Sequence, residues 1–177
     1  MTTLLTKMSN PIFNLRFNAG DECYAVLTGL DRSRSAAQFE MDQMEAFGSR
    51  FDQLRRKVVD GSVSLDRNAM FEGLAEPNIL DCLIYWLDEI IEENVFEGEV
   101  LHPKAVVDEA VMALKALRDG ASSVTMCEEA AWEIQDCAEL VEQIEREKLE
   151  AAQAVYERAK KLLPANACWH GIEGHAA

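Results

Sequence analysis

The side chains best suited to chemistry are few. Cys168, His170, Glu173 and His175 fall within the eight residues CWHGIEGH, and a thiolate, two imidazoles and a carboxylate are donors that zinc or nickel accepts. Their spacing matches no strong ligand pattern and two glycines loosen the segment, so it reads as a tail, and no metal or other cofactor is assigned. His102 is the third and last histidine. With two of three in the tail, a Ser-His-Asp or similar acid–base set is hard to assemble. No GxGxxG follows a strand, and Walker, HExxH and GxSxG signatures are missing. The expectation is a protein that is not an enzyme.

Charge is the stronger signal. The chain of 177 residues carries 32 Asp and Glu against 17 Lys and Arg, a net −15. The excess is not spread evenly. Residues 1–60 and 143–177 are each neutral, residues 61–77 carry −2, and residues 78–142 carry −13. No Lys or Arg occurs from Asn68 to Pro103 or from Asp119 to Glu145. Such a balance disfavours nucleic acid and anionic membranes as partners and favours basic surfaces.

Helical geometry turns this excess into two bands. At about 100° per residue, Asp81, Tyr85, Asp88 and Glu92 form one stripe, flanked by Glu89 and Glu93. Farther along, Glu128, Trp132, Asp136 and Glu139 form a second, widened by Glu129, Glu133 and Glu142. Each band holds an aromatic residue, which reads either as an amphipathic anchor or as a packing residue beneath a neighbouring element. Like charges four apart, as in Asp88/Glu92 and Glu129/Glu133, each cost a helix roughly 0.2–0.5 kcal/mol. Burial of large apolar side chains at ~1.5–3 kcal/mol each outweighs that. Acidic runs are commonly plain solvated surface. Here the same chain offers a contrast, because Arg146/Glu150 and Glu157/Lys161 are opposite charges at i,i+4, the usual soluble pattern.

The elements that carry these bands follow from apolar spacing and stop signals. Residues 12–27 alternate at Phe13, Leu15, Phe17, Tyr24 and Val26 around NAGD, which predicts a β-hairpin. Ser33 or Ser35 can cap a helix reaching about Val59, with Phe47, Phe51, Leu54 and Val58 on its inner face and Gly61 stopping it. The basic run Arg55, Arg56, Lys57 would then sit at the favourable end of that helix dipole, or meet another copy's acidic band. A short helical turn around Ser64 to Phe71 and a helix Ile79 to Glu93 follow. The latter buries Ile79, Leu80, Leu83, Leu87, Ile90 and Ile91. Pro103 opens a helix with Val106, Val107, Ala110, Val111, Leu114 and Leu117 inward, ending at Gly120. Thr125 and Glu128 match a capping box for a last helix that meets no breaker until Pro164, roughly 58 Å at 1.5 Å per residue. Its apolar phase slips between Ile144 and Leu149, which predicts a bend, a break or a projecting end that finds a partner.

The expected fold is therefore mainly α: four to five helices, a small N-terminal β-hairpin and a long C-terminal helix. One domain spans 1–177, with a hairpin appendage at 1–30, a helical body at 33–163 and a tail at 164–177. Five cysteines in an odd set without CxxC, no basic leader followed by an apolar run, and no stretch of ~20 apolar residues predict reduced thiols in a cytoplasmic protein.

In composition, residues 78–142 resemble acidic nucleic-acid mimics, small inhibitors from phages and mobile elements that block restriction or CRISPR complexes. The resemblance implies a non-enzymatic protein whose partner is a basic, nucleic-acid-binding surface, with Asp81, Tyr85, Asp88, Glu89, Glu92, Glu93, Glu128, Glu129, Trp132, Glu133, Asp136 and Glu139 as contact residues. The alternative is a helical structural adaptor or homo-oligomer, such as a homodimer, that uses the long C-terminal helix.

Overall fold

The computed structural model describes residues 21–162 except 93–94, 97–98 and 101, and describes no side chains at 21–25, 91–92, 95–96 or 99–100. In chain order the elements are α1 (Asp21–Arg55), β1 (Val58–Val59), β2 (Ser62–Asp66), α2 (Arg67–Phe71), α3 (Glu76–Glu92), β3 (Val95–Phe96), β4 (Glu99–Val100), α4 (Lys104–Arg118), β5 (Ser123–Cys127) and α5 (Glu128–Leu162). The fold is mainly α, with five helices among the described residues, a three-stranded antiparallel sheet and a long last helix. No described helix is long and apolar enough to cross a membrane.

Residues fall into two compact units, Glu40–Glu145 and Met1–Phe39 with Arg146–Ala177. In the first, Phe47 stacks on Phe51 and on Phe71, with ring centroids 5.5 and 5.6 Å apart. Around them close Ile79, Leu80, Leu83 and Leu87 of α3, and Val107, Ala110, Leu114 and Leu117 of α4. Ala130, Ala131, Ile134, Cys137, Ala138 and Val141 of α5 complete the shell. The alanines let α5 pack closely. The sheet covers this core with Val63, Leu65 and Met126, while Ser64 and Thr125 face out and meet at 2.9 Å through their hydroxyls. In the second unit, Leu27 of α1 packs with Tyr156 and Ala159 of α5, and the Arg34 guanidinium lies 4.7 Å over the Tyr156 ring.

Several expected boundaries move. Asp21–Leu27 is helix, so the returning strand expected at Tyr24 and Val26 is not formed. Residues 12–20, the other limb, lie outside the described residues, as does the 164–177 tail with Cys168, His170, Glu173 and His175. The first helix begins by Asp21, so Ser33 is interior to it; its hydroxyl donates back to the Gly29 carbonyl (3.1 Å) instead of capping. The helix ends at Arg55, and Val58–Val59 becomes strand. Asp60 and Gly61 take φ of 51° and 74°, the positive pair that a two-residue type I′ turn requires, and Val59 faces Ser62 across it. Asp-Gly between valines is thus a hairpin turn, not a helix stop. The expected capping box also fails. Thr125 lies within β5, whose register with β2 runs from Ser62↔Cys127 to Asp66↔Ser123. The cap of α5 is Cys127, whose Sγ accepts from the Ala130 amide at 3.4 Å.

The α4 helix ends as expected: Ala121 N–H donates to Ala116 O and Gly120 N–H to Leu117 O, with Gly120 at φ 106°. The long α5 runs unbroken through Ile144–Leu149. Its change of apolar phase instead hands the buried face from Val141 and its neighbours to Tyr156 and Ala159.

Gly61 and Gly48 give a paired test. A Cβ at either position meets nothing within 4 Å, but only Gly61 has positive φ. Gly61→Ala should lose about 1 kcal/mol from backbone strain, whereas Gly48→Ala, inside α1, should gain roughly 0.5–1 kcal/mol. Urea denaturation of both variants reads the opposite signs.

Candidate partner-binding surface

The α3 band forms as the helical spacing predicts. Asp81, Tyr85 and Asp88 are exposed while Leu80, Leu83, Ile84 and Leu87 are buried behind them. Tyr85, 57% exposed, is braced edge-on by Trp86 at 5.4 Å, so its ring is held outward between two carboxylates. Glu89 is half-buried. The Glu92 backbone ends α3, but its side chain and all of Glu93 lie outside the described residues. Two cations from α4 reach this band: Lys115 Nζ lies 3.9 Å from Asp88 and Arg118 Nη1 lies 3.9 Å from Asp81. Both pairs are long and solvent-exposed, a geometry that contributes ~0–1 kcal/mol and is screened by salt.

The α5 band is more built. Glu128, Glu129, Asp136 and Glu139 are exposed, with Glu139 accepting from Gln135 Nε2 at 2.9 Å. Glu133 is half-buried and bonds His102 Nδ1 at 2.9 Å through one carboxylate oxygen and 3.1 Å through the other. Trp132 is 45% exposed, yet the Arg55 guanidinium sits 3.5 Å from its ring centroid. Arg55 is 8% exposed and pairs with Asp52 one turn back. Its Nε has no hydrogen-bond partner among the described residues. One face of Trp132 is therefore occupied from within, while 45% of the residue stays exposed. Arg55 was expected to serve the helix dipole or another copy. It does lie in the last turn of α1, but its charge is spent inside this unit. Arg56 stays at the surface and pairs with Asp52 at 2.7 Å.

Two members of this site carried no sequence signal. Arg55 and His102 lie far from α5 along the chain, and no local spacing relates them to Trp132 or Glu133. Neighbouring Cys82, Cys127 and Cys137 form no disulfide, and burial pushes the Cys137 thiol up to about 12.

No family model, curated protein or solved structure matches this chain.

The electrostatics of the band follow from its own geometry. Desolvation first, then the Glu133 and Glu139 carboxylates, push the Asp136 carboxyl above its ordinary range, while His102 and Arg55 pull it down. Folding therefore makes Asp136 bind a proton more readily than the unfolded chain does. Ionised Asp136 works against folding near neutrality, and that cost fades as pH falls through its raised pKa. Asp52 has the opposite sign: its hydrogen bond with Arg56, opposed by desolvation and helped by the Arg55 charge, lowers its pKa, so its stabilisation is lost on acidification.

Asp136→Asn should consequently raise the melting temperature at pH 7, with the gain narrowing as the pH is lowered toward 4. Thermal melts across that range check it. A lower melting temperature at pH 7 would mean that Arg55 and His102 outweigh the neighbouring carboxylates.

Proposed function

We propose that this is a non-enzymatic binding protein whose acidic faces occupy a Lys/Arg-lined, nucleic-acid-binding surface of a partner and exclude the nucleic acid. One observation carries the reading: the charge excess coincides with one compact unit. Glu40–Glu145 holds 25 acidic and 8 basic residues, net −17, while the other unit holds 7 and 9, net +2. Cations brought in by the fold of Glu40–Glu145 do not cancel the excess. Of its eight, Arg55 is buried against Trp132, Arg56, Arg67 and Lys104 pair with Asp52, Glu76 and Asp108, and among the described residues only Lys115 and Arg118 approach the α3 band, each in a long exposed pair at 3.9 Å from Asp88 and Asp81.

The arrangement suits a cationic cleft. Carboxylates one turn apart on a helix lie ~5–6 Å from each other, comparable to the spacing of charge along a nucleic-acid backbone. Tyr85, set between Asp81 and Asp88, adds a rigid amphipathic ring of the kind enriched at interface centres. Repulsion present in the free protein is relieved on docking, so differential stabilisation of the bound state comes from the same residues. Such a protein, of intracellular action and phage or mobile-element type, fits the compositional resemblance to anti-restriction and anti-CRISPR inhibitors.

A second reading rests on the other unit. Its described residues bury only Leu27, Tyr156 and Ala159 as a core, with Phe39 and Val155 exposed on the paired helices. A thin two-helix core of this kind favours a structural adaptor or homodimer completed by another chain. Sedimentation that shows a dimer insensitive to salt and lost in Glu147→Pro would favour it.

Affinity capture from a bacterial lysate, with nucleic acid as competitor, tests the first reading. Retained nucleic-acid-binding complexes should elute between 0.1 and 0.5 M NaCl, be displaced by nucleic acid, and be lost with Asp81→Lys/Asp88→Lys at unchanged circular dichroism. Capture that survives the charge reversal, or that ignores salt, overturns it.

A further inference from the structure

The sheet leaves one edge open. Its order is β1-β2-β5, so β5 has a partner on one side only among the described residues. Which of its backbone groups face outward follows from the register. Glu128 N–H donates to Gly61 O at 3.2 Å and Arg67 N–H to Ser122 O at 2.9 Å, flanking the ladder in the same register. Hydrogen-bonded pairs alternate along an antiparallel ladder, so Val124 and Met126 bond to β2, and Ser123, Thr125 and Cys127 point their amides and carbonyls away. The Cys127 amide confirms the phase, because Glu109 Oε1 of α4 accepts from it at 2.7 Å. Ser123 and Thr125 have no backbone partner on that side among the described residues.

Beyond this edge lies a groove of about 550 Å³. One wall is Val124 and Thr125; the other is a single face of α4 with Met112, Ala113 and Ala116. Met112 is 70% exposed, an apolar side chain standing at the rim of a slot beside unpaired strand backbone. Natural proteins blunt open edges with charge, proline or very short strands. Here β1, the opposite edge, is only two residues long, whereas β5 has five residues and no Lys, Arg or Pro. An edge strand beside a helix, with a small-residue floor between them, is the geometry that accepts an added strand: main-chain bonds give affinity and alternate side chains enter the groove.

The geometry points to β5 as a docking edge for an extended basic peptide that adds as a fourth strand beside Ser123 and Thr125 in the groove against α4, with alternate apolar residues over Ala113 and Ala116 and its cations on the opposite, outward face. Charge selects this occupant. The unit is at net −17, so a second copy pairing edge to edge would bring two such units together, while a Lys/Arg-bearing strand is attracted. The inference is separate from the nucleic-acid-mimic reading: it shares the unit's net charge but assigns no contact to the α3 or α5 band.

Fluorescence anisotropy with the whole protein and a labelled decapeptide of alternating lysine and valine tests it. Binding should weaken at least tenfold when every second peptide bond of the probe is N-methylated, which keeps charge and side chains but removes strand bonds. It should weaken comparably in Thr125→Pro and in Ala116→Arg, the second variant leaving the β5 backbone intact. Asp81→Lys/Asp88→Lys should change it by less than threefold, and Thr125 amide exchange should slow on binding. Equal affinity for the N-methylated probe, unchanged binding in Ala116→Arg, or loss in Asp81→Lys/Asp88→Lys would overturn the proposal by showing unspecific attraction. Salt-stable dimers abolished by Thr125→Pro would overturn it in favour of a second copy.

Discussion

Everything in the Glu40–Glu145 unit depends on apolar packing strong enough to hold like charges at close range. The Phe47–Phe51–Phe71 stack sits at the centre, and α3, α4 and α5 each present a buried face to the surrounding core. Each large buried side chain contributes ~1.5–3 kcal/mol, against ~0.2–0.5 kcal/mol lost per like-charge pair on a helix. The first term is larger per residue and acts at more positions, so the core decides the fold and the charges are carried on it. That ordering explains why α3 forms although it bears no Lys or Arg at all.

Arg55 shows how the unit manages the remaining strain. A guanidinium is more weakly hydrated than an ammonium and stacks on aromatic faces, a contact that contributes up to about 2 kcal/mol when desolvated. Placed under Trp132 and beside Asp52, Arg55 puts positive charge beneath the α5 band without neutralising its outer face. Asp136 is exposed but partly desolvated, and that desolvation with the Glu133 and Glu139 carboxylates raises its pKa against the pull of this internal cation and His102. A surface selected for stability alone would exchange one of these acids for a lysine, as the second half of α5 does with Arg146/Glu150 and Glu157/Lys161. The uncompensated acids are the feature on which the proposed cationic partner rests.

Much of this was legible in the sequence, and the exceptions have physical causes. The 3.6-residue spacing of Ile79, Leu80, Leu83 and Leu87, and of Val107, Ala110, Leu114 and Leu117, located α3, α4 and their exposed faces. The strands were hidden because short elements produce ambiguous signals. Val58 continues the helical phase of Phe51 and Leu54, yet Asp60-Gly61 favours a turn, and the hairpin prevails because it buries Val63 and Leu65. Thr125 and Glu128 match a capping box, yet pairing β5 with β2 satisfies more backbone groups and buries Met126. Tyr24 and Val26 alternate like a strand, but Val26, Leu27 and Leu30 gain a partner face in Tyr156 and Ala159 only as a helix. Long-range partners such as Arg55 with Trp132, and His102 with Glu133, have no local trace. Of the acidic bands, Asp81, Tyr85, Asp88, Glu128, Glu129, Trp132, Asp136 and Glu139 are exposed as helical phase predicts, whereas Glu89 and Glu133 are half-buried.

The central claim is that the Glu40–Glu145 unit folds against its own uncompensated negative charge. The melting temperature of the intact chain at pH 7 between 10 and 300 mM NaCl measures this most directly, since the screening length falls from ~30 Å to below ~10 Å over that range. The account predicts a melting temperature that climbs with salt as repulsion is damped. A value that stays level or drops would mean that internal ion pairs already balance the surface, and no strain would be left for a positively charged partner to relieve.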